Sequence, residues 1–327
     1  MDGLVKAESA SFAMSDFATE MPKRRAHLDG LPGKTYCEWQ ESLNRAAKLF
    51  SKNSEELRDH LMQFVGQPIF VTELSEGYDA EAARLLINYL AALAGLRDAQ
   101  RVVHHRLWSD PDEGENLACE TCGRRDPKRT KWEVEVWDPK REELLGDGRI
   151  AFLTKLRDYS LHYNIPLVTV ASSFTSFGGP CGPMVGKNSV GIGRDDLLKW
   201  DGWNKKSRAF INEHDGNIID LMPLVAFFSQ RVRAFIQWFA GAIDGKVGKE
   251  AREFVDKHND FLRWCKVHET SAQYRMNRSS ENHRKRVEAR LERAENKTDG
   301  WRTIAVNGNA ESVVGESDWP PLPPDWC

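Results

Sequence analysis

The stretch KLRDYSLHYNIPLV, residues 155–168, gathers Arg157, Asp158, Tyr159, His162 and Tyr163 ahead of Pro166. The apolar positions around it recur at helical spacing, and successive helical residues turn by about 100°. Asp158 and His162, at i,i+4, share a face, where a carboxylate accepts a hydrogen bond from an imidazole and fixes its orientation. Arg157 and His162 are five apart and point about 140° away from one another. They converge only if the helix loosens before Pro166, or if a second copy of the helix packs across a two-fold axis. The second arrangement calls for a homodimer with a composite cleft. An ordinary imidazole, with a pKa near ~6.5, takes a proton from a ribose 2′-OH at neutral pH. A guanidinium holds the charge that builds on the attacked phosphate through paired N–H donors. The chemistry in view is metal-free RNA cleavage, with His162 as general base, Arg157 as phosphate stabiliser and Asp158 as orienter. DNA lacks the hydroxyl this requires.

The competing patterns are weaker. R-x4-H recurs at Arg263–His268 (RWCKVH) and Arg278–His283 (RSSENH), but the first has Trp in second place and the second lies in a very polar stretch. Asn88, Asp98 and Arg101 lie on the helix upstream; Asn88 and Tyr163 are assigned a supporting role. Cys119 and Cys122, in CETCG, make half of a four-ligand zinc site. No second CxxC and no HxxxH exists, so Cys181, Cys265, His104 or His105 would complete it only through folding. No cofactor and no metal is therefore expected. GGPCGPMVGKNS is no phosphate-cradling loop, because β-like sequence follows where a helix is required. GRRDPKRTK and RMNRSSENHRKRVEARLER are locally basic, which suits a solvated surface as well as a phosphate-binding one.

Long helices must position these residues. Trp39, Leu43, Ala46, Ala47 and Phe50 predict a helix over 36–50, and Ser54 is placed to cap a second one reaching Val65. Asp79 is placed to cap the strongest helix, which runs through LLINYLAALAGLRDAQRVVHHRLW for roughly 40 Å. Residues 109–131 read as an insertion. Asp138–Pro139 predicts a new helix start, with a break near Gly146–Gly148 and a stop before Pro166. PLVTVASSF and SVGIG predict a hairpin near 166–193. Helices are expected over 204–214, 219–243 and 249–295. Residues 1–34 and the tail 299–327, which ends WPPLPPDW, are expected to be poorly ordered.

The 327 residues carry a net charge of −3, which does not point to nucleic acid and does not exclude a local basic groove. Apolar runs fall short of the ~20 residues of a membrane-spanning helix. The N-terminus lacks a basic region followed by an apolar one, and the six cysteines do not form a secreted disulfide pattern. A cytoplasmic protein with no membrane contact is the expectation.

R-x4-H with a polar residue after the Arg, at the end of a long helix in an all-α bundle, resembles the HEPN superfamily. LRDYSLHYNIPL, with LLINYLAALAGLRDAQR upstream, also looks like a group of bacterial proteins carrying LRNYxxHxxxP. The resemblance covers roughly residues 79–245. It implies a mainly α, HEPN-like helical bundle, here with a small β-hairpin and a helical C-terminal extension over 246–298. It implies that Arg157 and His162 are the catalytic pair, that Asp158 is their polar companion, and that the protein acts as a homodimer without metal. Many members are endoribonucleases of toxin–antitoxin and antiphage defence systems; others only bind RNA or partners. The expectation is an endoribonuclease or RNA-binding protein of bacterial defence or stress response, with an antitoxin or regulator as partner. The alternative is a non-catalytic helical scaffold. The chain is longer than the compact toxins, with the 109–131 insertion and the region after 245 in addition.

Overall fold

In the computed structural model the described residues are 14–68, 74–108, 130–176 and 184–268, with single positions between 285 and 292. Cys119 and Cys122, most of the basic segments and of the 109–131 insertion, Cys181 and the 299–327 tail lie outside them. Among the described residues the protein is mainly helical, with one three-stranded antiparallel sheet. No described helix is long and apolar enough to cross a membrane. The chain divides into two units, 1–44 with 240–308, and 45–239 with 309–327.

In the first unit, helix α1 (Met14–Asp29) occupies a stretch expected to be poorly ordered. It is ordered by long-range contacts. Phe17 stacks on Trp264 at 5.0 Å, Arg24 lies over the same ring at 4.7 Å, and Leu28 joins Phe254 and Val255 in a small core. Helix α2 (Pro32–Val65) begins in this unit, where Gly33 sits so close to Glu250 and Phe254 that a Cβ would lie 2.7 Å from the Phe254 Cβ.

The second unit is built around helix α3 (Tyr78–Trp108), whose predicted stripe is buried at Leu85, Leu86, Tyr89, Leu90, Leu96, Val103 and Leu107. It starts at Tyr78 because Gly77, at φ 75°, turns the chain into it. Ser54 is no cap, since α2 runs straight through it. With no glycine or proline between Lys34 and Val65, nothing interrupts the helix. The fully buried Ser54 hydroxyl meets Ser229 Oγ at 3.0 Å.

Asp138–Pro139 is not a helix start either. The chain turns helical after Thr130, whose hydroxyl accepts the Glu133 N–H, and passes through a π-helical turn, Glu133–Trp137, into α4 (Asp138–Leu145). The Asp138 N–H reaches Glu133 O across the widened turn. Pro139 has no N–H to donate, so a π turn here absorbs the ladder bond that proline removes. The break at Gly146–Gly148 is real. Asp147 caps α5 (Gly148–His162), its carboxylate accepting the Arg149 N–H at 2.8 Å.

Strands β1 (Val168–Ser176) and β2 (Met184–Gly193) form the expected hairpin, with Val168 opposite Ile192 and Ser172 opposite Asn188. A third strand, β3 (Ile218–Asp220), pairs with β2. Gly191 permits this close pairing, since a Cβ there would collide with Ile218 and with the Ile219 carbonyl. Short helices α6 (Arg194–Leu198) and α7 (Lys205–Glu213) precede it. Helix α8 (Leu221–Val267) spans 47 residues, so the expected stop near residue 243 and restart at 249 do not occur. No proline follows Gly241, Gly245 and Gly248, and glycine alone weakens a helix by only about 1 kcal/mol. The expected continuation from 269 to 284 lies outside the described residues.

Candidate functional site

Helix α5 presents its RDYSLH residues from a well-packed base. Ile150, Phe152, Leu153, Leu156 and Tyr159 are buried. Phe152 and Tyr159 stack on Trp203, at 5.4 and 5.6 Å between centroids. Arg157 and Asp158 are half-buried and line a cleft, whereas His162 and Tyr163 are exposed on the last turn and beyond it.

The expected Asp158–His162 hydrogen bond is not made. Asp158 accepts a hydrogen bond from Lys155 at 2.9 Å and stands 4.0 Å from the Arg157 guanidinium. A flexible ammonium one turn upstream reaches the carboxylate and offers a full charge. The Tyr163 ring packs near Tyr159 and Trp200, at 5.2 and 6.4 Å. Asn88 is half-buried on α3. Neither Asn88, Tyr163 nor His162 is among the residues lining the cleft.

That cleft, of about 760 Å³, is lined by α3, the π turn, α4, α5 and the first half of α8. Its apolar floor includes Leu90, Phe228, Val232 and Phe235. Its charged wall sets Arg97, Arg101, Arg141 and Arg157 against Glu133, Asp138, Glu142 and Asp158. Arg141 is within 3.3 Å of Asp138.

Gln100, His104 and Glu133 also line the cleft. The buried atoms Gln100 Nε2, His104 Nε2 and Glu133 Oε2 have no hydrogen-bond partner among the described residues. The His104 ring lies flat on Trp137 at 4.6 Å and 5.2 Å from Trp132. Burial first, then the neighbouring His105 and Arg101, lowers its pKa to about 4. One ligand atom each from His104, His105 and Glu133 lie within 4.8 Å of one another. Sequence reasoning weighed His104 and His105 only as partners for the cysteine pair, and missed Glu133. The available signal was an adjacent His pair on the strongest apolar helix.

The fold and site thus define a mainly α protein with a small antiparallel sheet and a charged interhelical cleft. Comparison with protein-family models, with curated proteins and with solved structures gave no match.

Proposed function

We propose that the protein binds RNA and cleaves it without metal, as a homodimer, in bacterial defence or stress response. His162 acts as general base and Arg157 as phosphate stabiliser. One observation carries the reading: His162 is exposed on the last turn of α5, amid an apolar rim of Leu161 (57 % exposed), Ile165 (60 %) and Leu167 (63 %). Large apolar side chains exposed this close together in the sequence favour association. A second copy across this rim would set the His162 of one chain towards the Arg157 of the other, which one helix alone cannot do. In this arrangement Asp158 holds Lys155 and Arg157 near the phosphate instead of orienting the imidazole. The R-x4-H resemblance points to RNA and to an antitoxin or regulator as partner.

The test is incubation of the purified protein with total RNA, with and without chelator. Cleavage that survives chelator and leaves 2′,3′-cyclic phosphate ends is expected. No cleavage and no RNA binding in any condition would remove the proposal. A second reading, a non-catalytic helical scaffold, draws on the cleft wall, where four carboxylates offset four arginines and leave no net attraction for a polyanion.

A further inference from the structure

We propose that His104, His105 and Glu133 form a binding site for one divalent cation of the zinc class. The donor set is two imidazoles and a carboxylate, as in three-ligand sites that leave a coordination position open. Such a set selects borderline first-row metals over calcium or magnesium, which prefer all-oxygen shells.

The site is built before any ion enters. His104 is 1 % exposed, and its Nε2 has no hydrogen-bond partner among the described residues. The same holds for Glu133 Oε2. Buried polar atoms are paired as a rule, so two unpaired atoms that could both coordinate a metal, in one cluster, call for an occupant. No hydrogen bond joins any two of the three side chains, yet their ligand atoms lie within 4.8 Å of one another. Ligands at ~2.0–2.1 Å from a tetrahedral ion stand about 3.3–3.5 Å apart. Small rotations of His105 and Glu133, both only half-buried, close that gap. His104 needs no such freedom, because stacking on Trp137 at 8° between planes already fixes its ring.

The backbone points the same way. Glu133 opens a π-helical turn, a local widening found often at functional sites. The turn carries both a proposed ligand and the indole that holds another. Arg101 and Arg141 in the cleft wall suit an anionic fourth ligand.

The proposal is independent of the RNA reading, whose expected cleavage survives chelator. The full chain, stripped by chelator and dialysed, is titrated with Zn²⁺ by calorimetry and with Co²⁺ by visible absorption. One Zn²⁺ per chain is expected. Co²⁺ should develop the d–d bands of a four- or five-coordinate site and quench emission from Trp132 and Trp137. Losing an outer-shell partner of a metal ligand weakens binding about 10–100-fold. Glu133→Gln and His105→Gln, which remove direct ligands at half-buried positions, should each weaken it by at least about 100-fold while leaving the metal-free circular dichroism unchanged. His104→Ala serves as a third variant if it folds. The proposal is overturned by no saturable binding to the wild type, or by unchanged affinity in both Gln variants. It is equally overturned if binding persists in them and is lost in Cys119→Ser/Cys122→Ser.

Discussion

Trp108 and Trp132 stack face to face, with ring centroids 3.8 Å apart and planes within 10°. One closes α3 and the other precedes the π turn, so the described residues on either side of 109–129 are packed against each other here. Trp137 completes the cluster, edge-on to Phe235 and Phe239 at 5.0 Å each and flat against His104. Trp137→Ala should therefore destabilise the protein by about 3–5 kcal/mol, read as a lower urea midpoint. A loss under 1 kcal/mol would show that the cluster is not a packed core.

Asn188 ties the hairpin to the end of α2. Its amide donates to Phe64 O at 3.2 Å and Gln67 O at 3.0 Å, and its carbonyl oxygen accepts from Ser172 Oγ at 2.7 Å. Leucine has the same branching and none of these bonds. Asn188→Leu should lower stability by about 2–3 kcal/mol, because all three hydrogen bonds of a buried side chain are lost together. Hydrogen exchange should speed up in β1 and β2 before it does in α3. Uniform exchange across both would contradict the assignment.

Tyr78 should make the fold alkali-sensitive. Its hydroxyl donates to His60 O at 3.1 Å and Leu61 O at 3.3 Å. A His60 ring nitrogen donates back to Tyr78 O at 2.9 Å. Burial pushes the phenol from 10.0 up to about 12. The unfolded chain ionises first, so the contribution is fully present below about pH 10 and is lost as pH rises towards about 12. Tyr78→Phe should be less stable at pH 8 by about 1 kcal/mol and should lose less between pH 9 and 11 than the wild type. Equal losses would place the alkaline sensitivity elsewhere, with Tyr89, also raised by burial, next in line.

The rim around His162 should govern association. Ile165→Glu puts a charge at a position that is 60 % exposed, so the monomer should keep its fold and its melting temperature. Light scattering should show a dimer for the wild type and a monomer for the variant. A wild-type monomer at micromolar concentration would remove the composite cleft.

Much of this fold was legible locally. The α3 stripe, the Gly146–Gly148 break and the hairpin follow from period and turn chemistry. What was missed depends on partners distant in sequence. Residues 14–29 are too polar to predict a helix, and Phe17 finds Trp264 only after folding. Ser54 looks like a cap until Ser229 faces it. Pro139 marks a helix start by local rules, yet an upstream π turn lets the helix pass through it. At the candidate site, Arg157 and Asp158 line an interhelical cleft within one chain, whereas their spacing had pointed to a cleft shared between two copies. The i,i+4 rule named a possible partner for Asp158, and Lys155 at i−3 took it. Glu133 was invisible because its neighbours His104 and His105 lie almost thirty residues upstream, a distance no local periodicity spans.

The most direct test of the central claim is complementation. Arg157→Ala and His162→Ala should each abolish chelator-resistant RNA cleavage. Mixed in equal amounts and allowed to exchange subunits, they should recover about one quarter of wild-type activity, because half the dimers then hold one intact site. Wild-type cleavage by either single variant, or no recovery on mixing while exchange is demonstrated, would contradict a shared site.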